Sequence, residues 1–363
     1  MLTSDFNFDL PDALIAQAPP AERGGSRLMV VDRSTGGIEH RVFADLPSLL
    51  VPGDVLVVND TRVFPARLIG TRRPGGGTAE CFLIRPAADP DLPAGSSALA
   101  VAKVDTWLAL VHPGQRLPEG SRMVFEAHGK CLHAEIIGRH FHGRRTVRLW
   151  TEDGSTVRET VDAIGHVPLP PYIKRPDALA DRDRYQTVYA RERGSIAAPT
   201  AGLHFTPALL DELTARGIEP ISITLHVGYG TFQPIRADHV EEHEMESEHY
   251  EVTEAAAEAL SKAKQEMRRV IAVGTTTTRT LESLLISSHG MVSAGNGETR
   301  LFIRPGHDFR IVSGLITNFH LPRSSLLMLV SAFGGQERVL AAYREAVKSR
   351  YRFYSYGDAM LIA

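Results

Sequence analysis

Residues 55–62 read Val-Leu-Val-Val-Asn-Asp-Thr-Arg. Four apolar residues in a row predict a strand buried in a sheet, and the switch to Asn59-Asp60-Thr61-Arg62 is abrupt. A polar switch at the end of a buried strand is where α/β folds place ligand contacts. A second such strand, Val270-Ile-Ala-Val273, leads into Gly274. Around it the pattern alternates. A helix is predicted over 207–216, with Thr206 as cap and Gly217 as stop, then a strand over 221–227. Thr253 caps a helix from 254 to about 268, and further helices are expected over 280–287 and 336–350.

From 67 to 165 the texture changes. Short alternating runs such as Glu80-Cys-Phe-Leu-Ile84, Trp107-Leu-Ala-Leu-Val111 and Thr146-Val-Arg-Leu-Trp150 are separated by turn signals such as Pro74-Gly-Gly-Gly77 and Pro113-Gly114. This predicts a small all-β unit, a sandwich or a barrel, with little helical periodicity. The proline-rich stretch His166-Val-Pro-Leu-Pro-Pro-Tyr172 suits a semi-rigid boundary. The expected fold class is therefore α/β. Residues 1–66 and 166–363 form the main domain, and 67–165 form an inserted barrel-like all-β domain.

Bulk properties set limits. The chain has 363 residues, 43% of them hydrophobic, and a formal net charge of −3. That charge is unlike the basic balance of a general nucleic-acid binder, so any RNA contact must rest on a local patch. Two cysteines, Cys81 and Cys131, make no disulfide framework and point to a reducing compartment. The acidic start, 1–12, lacks a signal core, and the apolar run 326–333 is too short to span a bilayer. The expectation is a cytoplasmic, monomeric protein without a membrane partner.

Six polar segments carry the candidate chemistry: Val58 to Arg62, Ala197 to Phe205, His226 to Phe232, Gly274 to Ser283, Thr317 to Arg323, and Tyr354 to Asp358. Gly274-Thr-Thr-Thr-Thr-Arg279 joins a strand to a helix, offering backbone N–H groups and hydroxyls to an anion or a nucleotide edge. It lacks the lysine of a P-loop. Glycines in His226-Val-Gly-Tyr-Gly-Thr-Phe232 let a ligand approach the backbone. His239 and His243 stand four apart, a zinc-like spacing if helical, but the run is acidic and lacks the HExxH pattern; it reads as an exposed segment, and no metal is expected. Arg139-His-Phe-His-Gly-Arg-Arg145 is the clearest basic patch, able to grip phosphate and stack a base.

Read together, these segments resemble one family along nearly the whole chain. Phe8-Asp-Leu-Pro11, 53–68, Pro168-Leu-Pro-Pro-Tyr-Ile173, 195–206, Arg279-Thr-Leu-Glu-Ser283, Thr317-Asn-Phe-His-Leu-Pro322 and Tyr351-Arg-Phe-Tyr-Ser-Tyr-Gly-Asp358 resemble the S-adenosylmethionine:tRNA ribosyltransferase-isomerases of the queuosine pathway. One departure is Glu246, where the family often has a second histidine. The resemblance implies an α/β domain with an inserted β-barrel. It implies ribosyl transfer from S-adenosylmethionine, a substrate and not a cofactor, onto 7-aminomethyl-7-deazaguanine in a tRNA anticodon loop. Adenine and methionine leave, and no cofactor is needed.

Such a reaction requires a base for the proton beside the sulfonium and a proton donor near adenine. His204 or His320 is the expected base, and Asp358 or Glu282 the expected donor or its positioner. The substrate pocket is expected from Asn59, Arg62, Thr200, Gly202, Phe205, Gly228, Gly230, Thr231, Phe232, Gly274, Thr275, Thr276, Arg279, Asn318 and Tyr356, and the RNA contact from Arg139, Arg144 and Arg145. Rival readings are a methyltransferase, which lacks its glycine-rich loop here, a metal hydrolase, and an RNA-binding module without activity.

Overall fold

The structure, a computed structural model, describes residues 1–87, 104–232, 235 and 237–363. The chain divides into two compact units. Met1–Arg62, Pro170–Pro176 and Asp183–Ala363 form one; Val63–Leu169 and Asp177–Arg182 form the other.

The first unit is built on β1 (Arg27–Val31), β2 (Ile38–Val42), β3 (Val55–Asn59), β12 (Glu219–Leu225), β13 (Glu248–Val252), β14 (Val270–Val273), β15 (Gly295–Thr299), β16 (Gly314–Asn318) and β17 (Ala359–Ile362). Among the described residues they form one sheet in the order β15-β13-β12-β3-β14-β16-β17-β1-β2. The central four, β12, β3, β14 and β16, run parallel; β17 runs against β16. Side chains alternate between two cores. Val55, Val57, Val270, Ala272 and Leu315 face one; Leu56, Val58, Ile271, Val273 and Ile316 face the other. Burial on both faces explains the unbroken apolar runs. A short ribbon pairs β4 (Thr61–Val63) with β11 (Glu192–Ser195).

The helices are α1 (Leu46–Leu49), α2 (Val157–Ile164), α3 (Asp181–Arg184), α4 (Pro207–Ala215), α5 (Glu254–Gln265), α6 (Thr275–Ser283), α7 (Ser325–Gly334) and α8 (Gln336–Lys348). Thr206 and Thr253 cap α4 and α5 by accepting from Leu209 N and Ala256 N. The sequence places the start of α6 at 280, but the helix begins at Thr275. Threonine is a weak helix former. Here its hydroxyls bond back one turn, Thr277 Oγ1 to Val273 O at 2.7 Å and Thr280 Oγ1 to Thr276 O at 3.1 Å, and packing buries the segment. The apolar run 326–333 lies in α7.

In the second unit, β5 (Arg67–Arg73), β6 (Thr78–Pro86), β7 (Val104–His112), β8 (Arg122–Ala127), β9 (Lys130–Arg139) and β10 (Arg144–Trp150) close into a barrel in the order β10-β7-β6-β5-β8-β9. Among the described residues the expected sparsity of helix there has one α-helical exception. α2 follows β10 and is fixed by a capping box in which Thr156 Oγ1 accepts from Glu159 N and Glu159 accepts from Thr156 N.

Closure is tight at Gly70, where an added Cβ would lie 2.1 Å from the Val124 carbonyl oxygen and 2.6 Å from the Phe125 ring. Gly70→Ala should therefore force β5 from β8 and destabilise the protein by about 1–3 kcal/mol. Urea unfolding of the two proteins checks this, and an unchanged midpoint contradicts it.

Candidate active site

β12, β3, β14 and β16 end at one sheet edge, at Leu225, Asn59, Val273 and Asn318. Because β17 is antiparallel to β16, the turn before it, 354–358, arrives at the same edge. Open α/β sheets bind ligands there. Asn59 braces this edge. Its Oδ1 accepts from Thr61 N and Leu225 N at 3.1 and 3.0 Å; its Nδ2 donates to Leu225 O at 2.9 Å and Thr276 Oγ1 at 3.4 Å. With both ends of the amide in use, Asn59 locks β3 to β12 and to the start of α6.

Between the strand ends and the 354–355 turn lies a cavity of about 50 Å³. Of the expected residues it gathers Thr200, Thr231, Asn318 and His320; Tyr172, Tyr354 and Ser355 join them. His320 is buried, its Nε2 lies 2.7 Å from Thr317 Oγ1, and its backbone N–H donates to Tyr343 Oη at 3.0 Å. His204 and Tyr356 line a smaller neighbouring cavity of about 10 Å³, which shares Ser355. The two histidines differ in what they leave available. His204 Nδ1 lies 2.9 Å from Ser26 Oγ, and its Nε2 faces Asn318 Nδ2 at 3.1 Å, so both ring nitrogens have partners. Asn318 Nδ2 also donates to the Tyr354 carbonyl at 3.2 Å. That carbonyl can only accept, so it fixes the amide orientation, and His204 Nε2 is the acceptor of the pair. Burial pushes the pKa of both His204 and His320 down to about 3.

A second arrangement supports the cavity. Glu248, on β13, is buried and forms an ion pair with Arg279 of α6. Its Oε1 accepts from Gly228 N at 3.0 Å and from Thr231 Oγ1 at 3.2 Å. Arg279 lies in the second turn of α6 and also donates Nε to Leu301 O at 3.0 Å. Sequence reading missed Glu248, which stands at the end of an acidic run that looks exposed. Nothing local separates it from Glu244 or Glu246; its burial comes from pairing with β15 and α6.

Other expected residues lie elsewhere. Seven residues of helix carry Glu282 about 10 Å from the start of α6. Its carboxylate there accepts from the backbone N–H groups of Arg310, Ile311 and Val312 at 2.8–3.0 Å, just before β16. Asp358 is buried and accepts from Arg27 N at 3.0 Å and Arg352 N at 2.8 Å, pinning the last turn to β1. Phe205 is fully buried against Phe43. Gly202 is glycine because a Cβ would lie 2.1 Å from Tyr189 Oη, a close approach of protein rather than ligand. At Gly230 the close neighbour is the Glu246 side chain. Gly274, with φ +92°, and buried Thr275 and Thr276 form the helix start beside Asn59, outside the cavity wall. Arg62 is exposed. The side chain of Phe232 lies outside the described residues. His239 and His243 flank a single 3-10 turn over Val240–Glu242, so the i, i+4 helix face does not form. Among the described residues no group of three or more His, Cys, Asp or Glu is placed to hold a metal ion.

In the barrel unit the basic patch sits on the β9–β10 hairpin. Arg139 is exposed and Arg144 half-buried. Phe141, between them, is 89% exposed. Arg145 points the other way: it is buried, donating Nη1 to Arg144 O at 2.9 Å and Nη2 to Gly114 O at 3.1 Å.

Comparison with known proteins adds an independent finding. A family model described as "Queuosine biosynthesis protein" matches residues 3–362. The chain is 53% identical to the S-adenosylmethionine:tRNA ribosyltransferase-isomerase of Heliobacterium modesticaldum, covering 98% of each chain. It is 51% identical to that of an Anaeromyxobacter species, over 100% of this chain and 99% of the relative. Among solved structures it is similar to the S-adenosylmethionine tRNA ribosyltransferase of Thermotoga maritima. The identity is 36% and the TM-score 0.54, over 99% of this chain and 100% of that one.

The two buried histidines make a pH prediction. Their folded pKa lies below the unfolded value near 6.5, so the unfolded chain binds more protons between the two. Their contribution to stability is complete above pH 6.5 and is lost as pH falls toward about 3. Each proton taken up on unfolding costs about 1.4 kcal/mol per pH unit in that window. Denaturant unfolding between pH 7.5 and 5 should show falling stability, and His320→Gln should flatten the fall. An equal slope in the variant would remove His320 from the account.

Proposed function

The chain belongs to the queuosine biosynthesis protein family, and from that premise we infer its reaction and how its residues carry it. It transfers and isomerises the ribosyl moiety of S-adenosylmethionine onto 7-aminomethyl-7-deazaguanine at the tRNA wobble position. The product is epoxyqueuosine-tRNA, and adenine and methionine are released. The observation that carries this is the match over residues 3–362, which includes every segment that builds the cavity.

The sulfonium acidifies the neighbouring C5′ hydrogens, so the base need not be strong. His320 is our base: it lines the cavity, and its depressed pKa keeps the imidazole unprotonated at neutral pH. His204 is a positioning residue, since both its nitrogens are engaged and it holds Asn318 in place. Glu282 and Asp358, whose oxygens are taken up by backbone N–H groups, act as anchors of the loops at the two ends of the sheet. Arg279 acts through Glu248 on the loop that supplies Thr231. The scheme uses no metal and no bound cofactor.

The anticodon loop is the RNA element we assign as partner, because sequence-specific RNA recognition reads unpaired bases. The target base must leave its stack to meet the sulfonium. Arg139 and Arg144 on the barrel hairpin contact phosphate, and the exposed Phe141 ring offers a face to an unpaired base. The protein acts as a monomer in the cytoplasm, where its tRNA substrate is found. Among the described residues no helix is long and apolar enough to cross a membrane.

Purified protein given S-adenosylmethionine and tRNA bearing 7-aminomethyl-7-deazaguanine should release adenine and add a ribosyl-derived mass to the nucleoside. Adenosylhomocysteine with a methyl-sized gain would mean a methyltransferase instead. His320→Ala should lower kcat by about 10²–10⁴-fold with folding intact; near-normal turnover would end the base assignment. Separately, replacing Arg139 and Phe141 with Ala should weaken tRNA binding at fixed salt and leave S-adenosylmethionine binding alone; unchanged tRNA affinity would take the hairpin out of the interface.

A further inference from the structure

Two side chains of the cavity wall carry buried polar atoms with no hydrogen-bond partner: Asn318 Oδ1 and Tyr354 Oη. Such atoms are costly to leave unpaired, and among the described residues these two are the ones of that kind that line this cavity. Asn318 is 2% exposed and Tyr354 4%. The Asn318 amide cannot turn to relieve its oxygen, because Nδ2 is held by the Tyr354 carbonyl and His204 Nε2. Its oxygen is therefore an obligate acceptor waiting for a donor.

Tyr354 is held just as firmly. Its backbone has φ +70°, a left-handed conformation that a bulky residue adopts only under constraint. The constraint is visible: Tyr354 N donates to Phe319 O at 3.0 Å, and the Tyr354 carbonyl accepts from Gly357 N at 2.8 Å as well as from Asn318. The ring stacks on Tyr172 at 4.5 Å between centroids. Burial raises the pKa of the phenol, so it stays protonated and can donate.

The rest of the wall says what kind of group fits. Among the described residues the lining includes no Lys, Arg, Asp or Glu. Its one imidazole, His320, is neutral, and Thr200, Thr231, Ser324 and Ser355 are uncharged. A phosphate, the methionine carboxylate and ammonium, or the aminomethyl ammonium would each find no counter-charge there. A neutral group that both donates and accepts hydrogen bonds is matched.

We propose that this cavity takes one neutral edge of the nucleoside half of the ribosyl donor, with Asn318 Oδ1 and Tyr354 Oη as the atoms that bind its hydroxyl or amino group. The inference rests on the S-adenosylmethionine reading and adds a residue, Tyr354, and a division of the substrate: a neutral nucleoside edge here, the charged methionine portion outside.

Tyr354→Phe is the test, since it removes only the unpartnered oxygen and keeps the ring. Melting temperature of the ligand-free variant should be unchanged or higher, because no internal hydrogen bond is lost. The KM for S-adenosylmethionine should rise at least tenfold, and calorimetric binding of adenosine should weaken by a similar factor. Binding of the parent protein to 2′-deoxyadenosine and to inosine then reports whether the sugar or the base edge is held; loss with either one supports the subsite. An unchanged KM in Tyr354→Phe, no binding of adenosine to the parent, or undiminished binding of both analogues overturns it. Adenine release by the parent protein is scored independently, so the inference can fail while the reaction stands.

Discussion

Asn318 ends β16, and its side-chain amide reaches in two directions at once. One hydrogen bond goes to the Tyr354 carbonyl, 36 residues on in the chain, and one to His204, 114 residues back. His204 is in turn tied to Ser26 before β1. A single amide thus joins the end of a central strand, the last turn of the chain and the 200–204 segment. Without it, His204 would lose a partner in a fully buried position and the left-handed turn at Tyr354 would lose one of its restraints. The contact ties together three of the segments that line the cavity.

The opposite wall has a different foundation. The Glu248 carboxylate collects the Gly228 N–H, the Thr231 hydroxyl and the Arg279 guanidinium. A buried ion pair is weak evidence for stability, because desolvating both charges offsets most of their attraction. Its value here lies in orientation, since three partners around one carboxylate leave the loop few alternatives. The threonines of α6 serve the same end. Their hydroxyls bond back into the helix, allowing a β-branched run to sit inside it, buried against the sheet.

The barrel unit solves a separate problem. Closing six strands removes the exposed edges that would otherwise invite pairing with other chains. What remains for interaction are the hairpin tips, and the β9–β10 tip carries Arg139 and an outward-facing phenylalanine. An aromatic ring stands there almost wholly in solvent, near a positive charge, and the proposed tRNA contact rests on that pairing.

Elements whose signal is local were legible in the chain. The runs 55–59 and 270–273 are strands over those same residues, because burial on both faces demands unbroken apolar sequence. Thr206 and Thr253 cap helices, because capping involves residues only three apart. The alternating runs between 78 and 150 are barrel strands, while α2 was overlooked although its signals are local too: the Thr156–Glu159 capping box and the spacing of Val157, Val161 and Ile164. The motifs also converge on one sheet edge, since Asn59 and Asn318 end strands and Gly274 follows one. Which motif residues face the cavity was another matter. Tyr354 and Tyr356 sit in one motif, yet only the first lines the larger cavity with Asn318. Asp358 and Glu282 look like acids for catalysis until their backbone partners are known; those of Asp358 lie 331 and 6 residues away, those of Glu282 28 to 30. Arg145 looks like its neighbour Arg144 until the Gly114 carbonyl, 31 residues off, is seen to hold it. Periodicity and capping act over a few residues, and the sequence determines them alone. A polar side chain's choice between ligand and internal partner depends on groups that only the folded chain brings within 3 Å, and tertiary structure decides it.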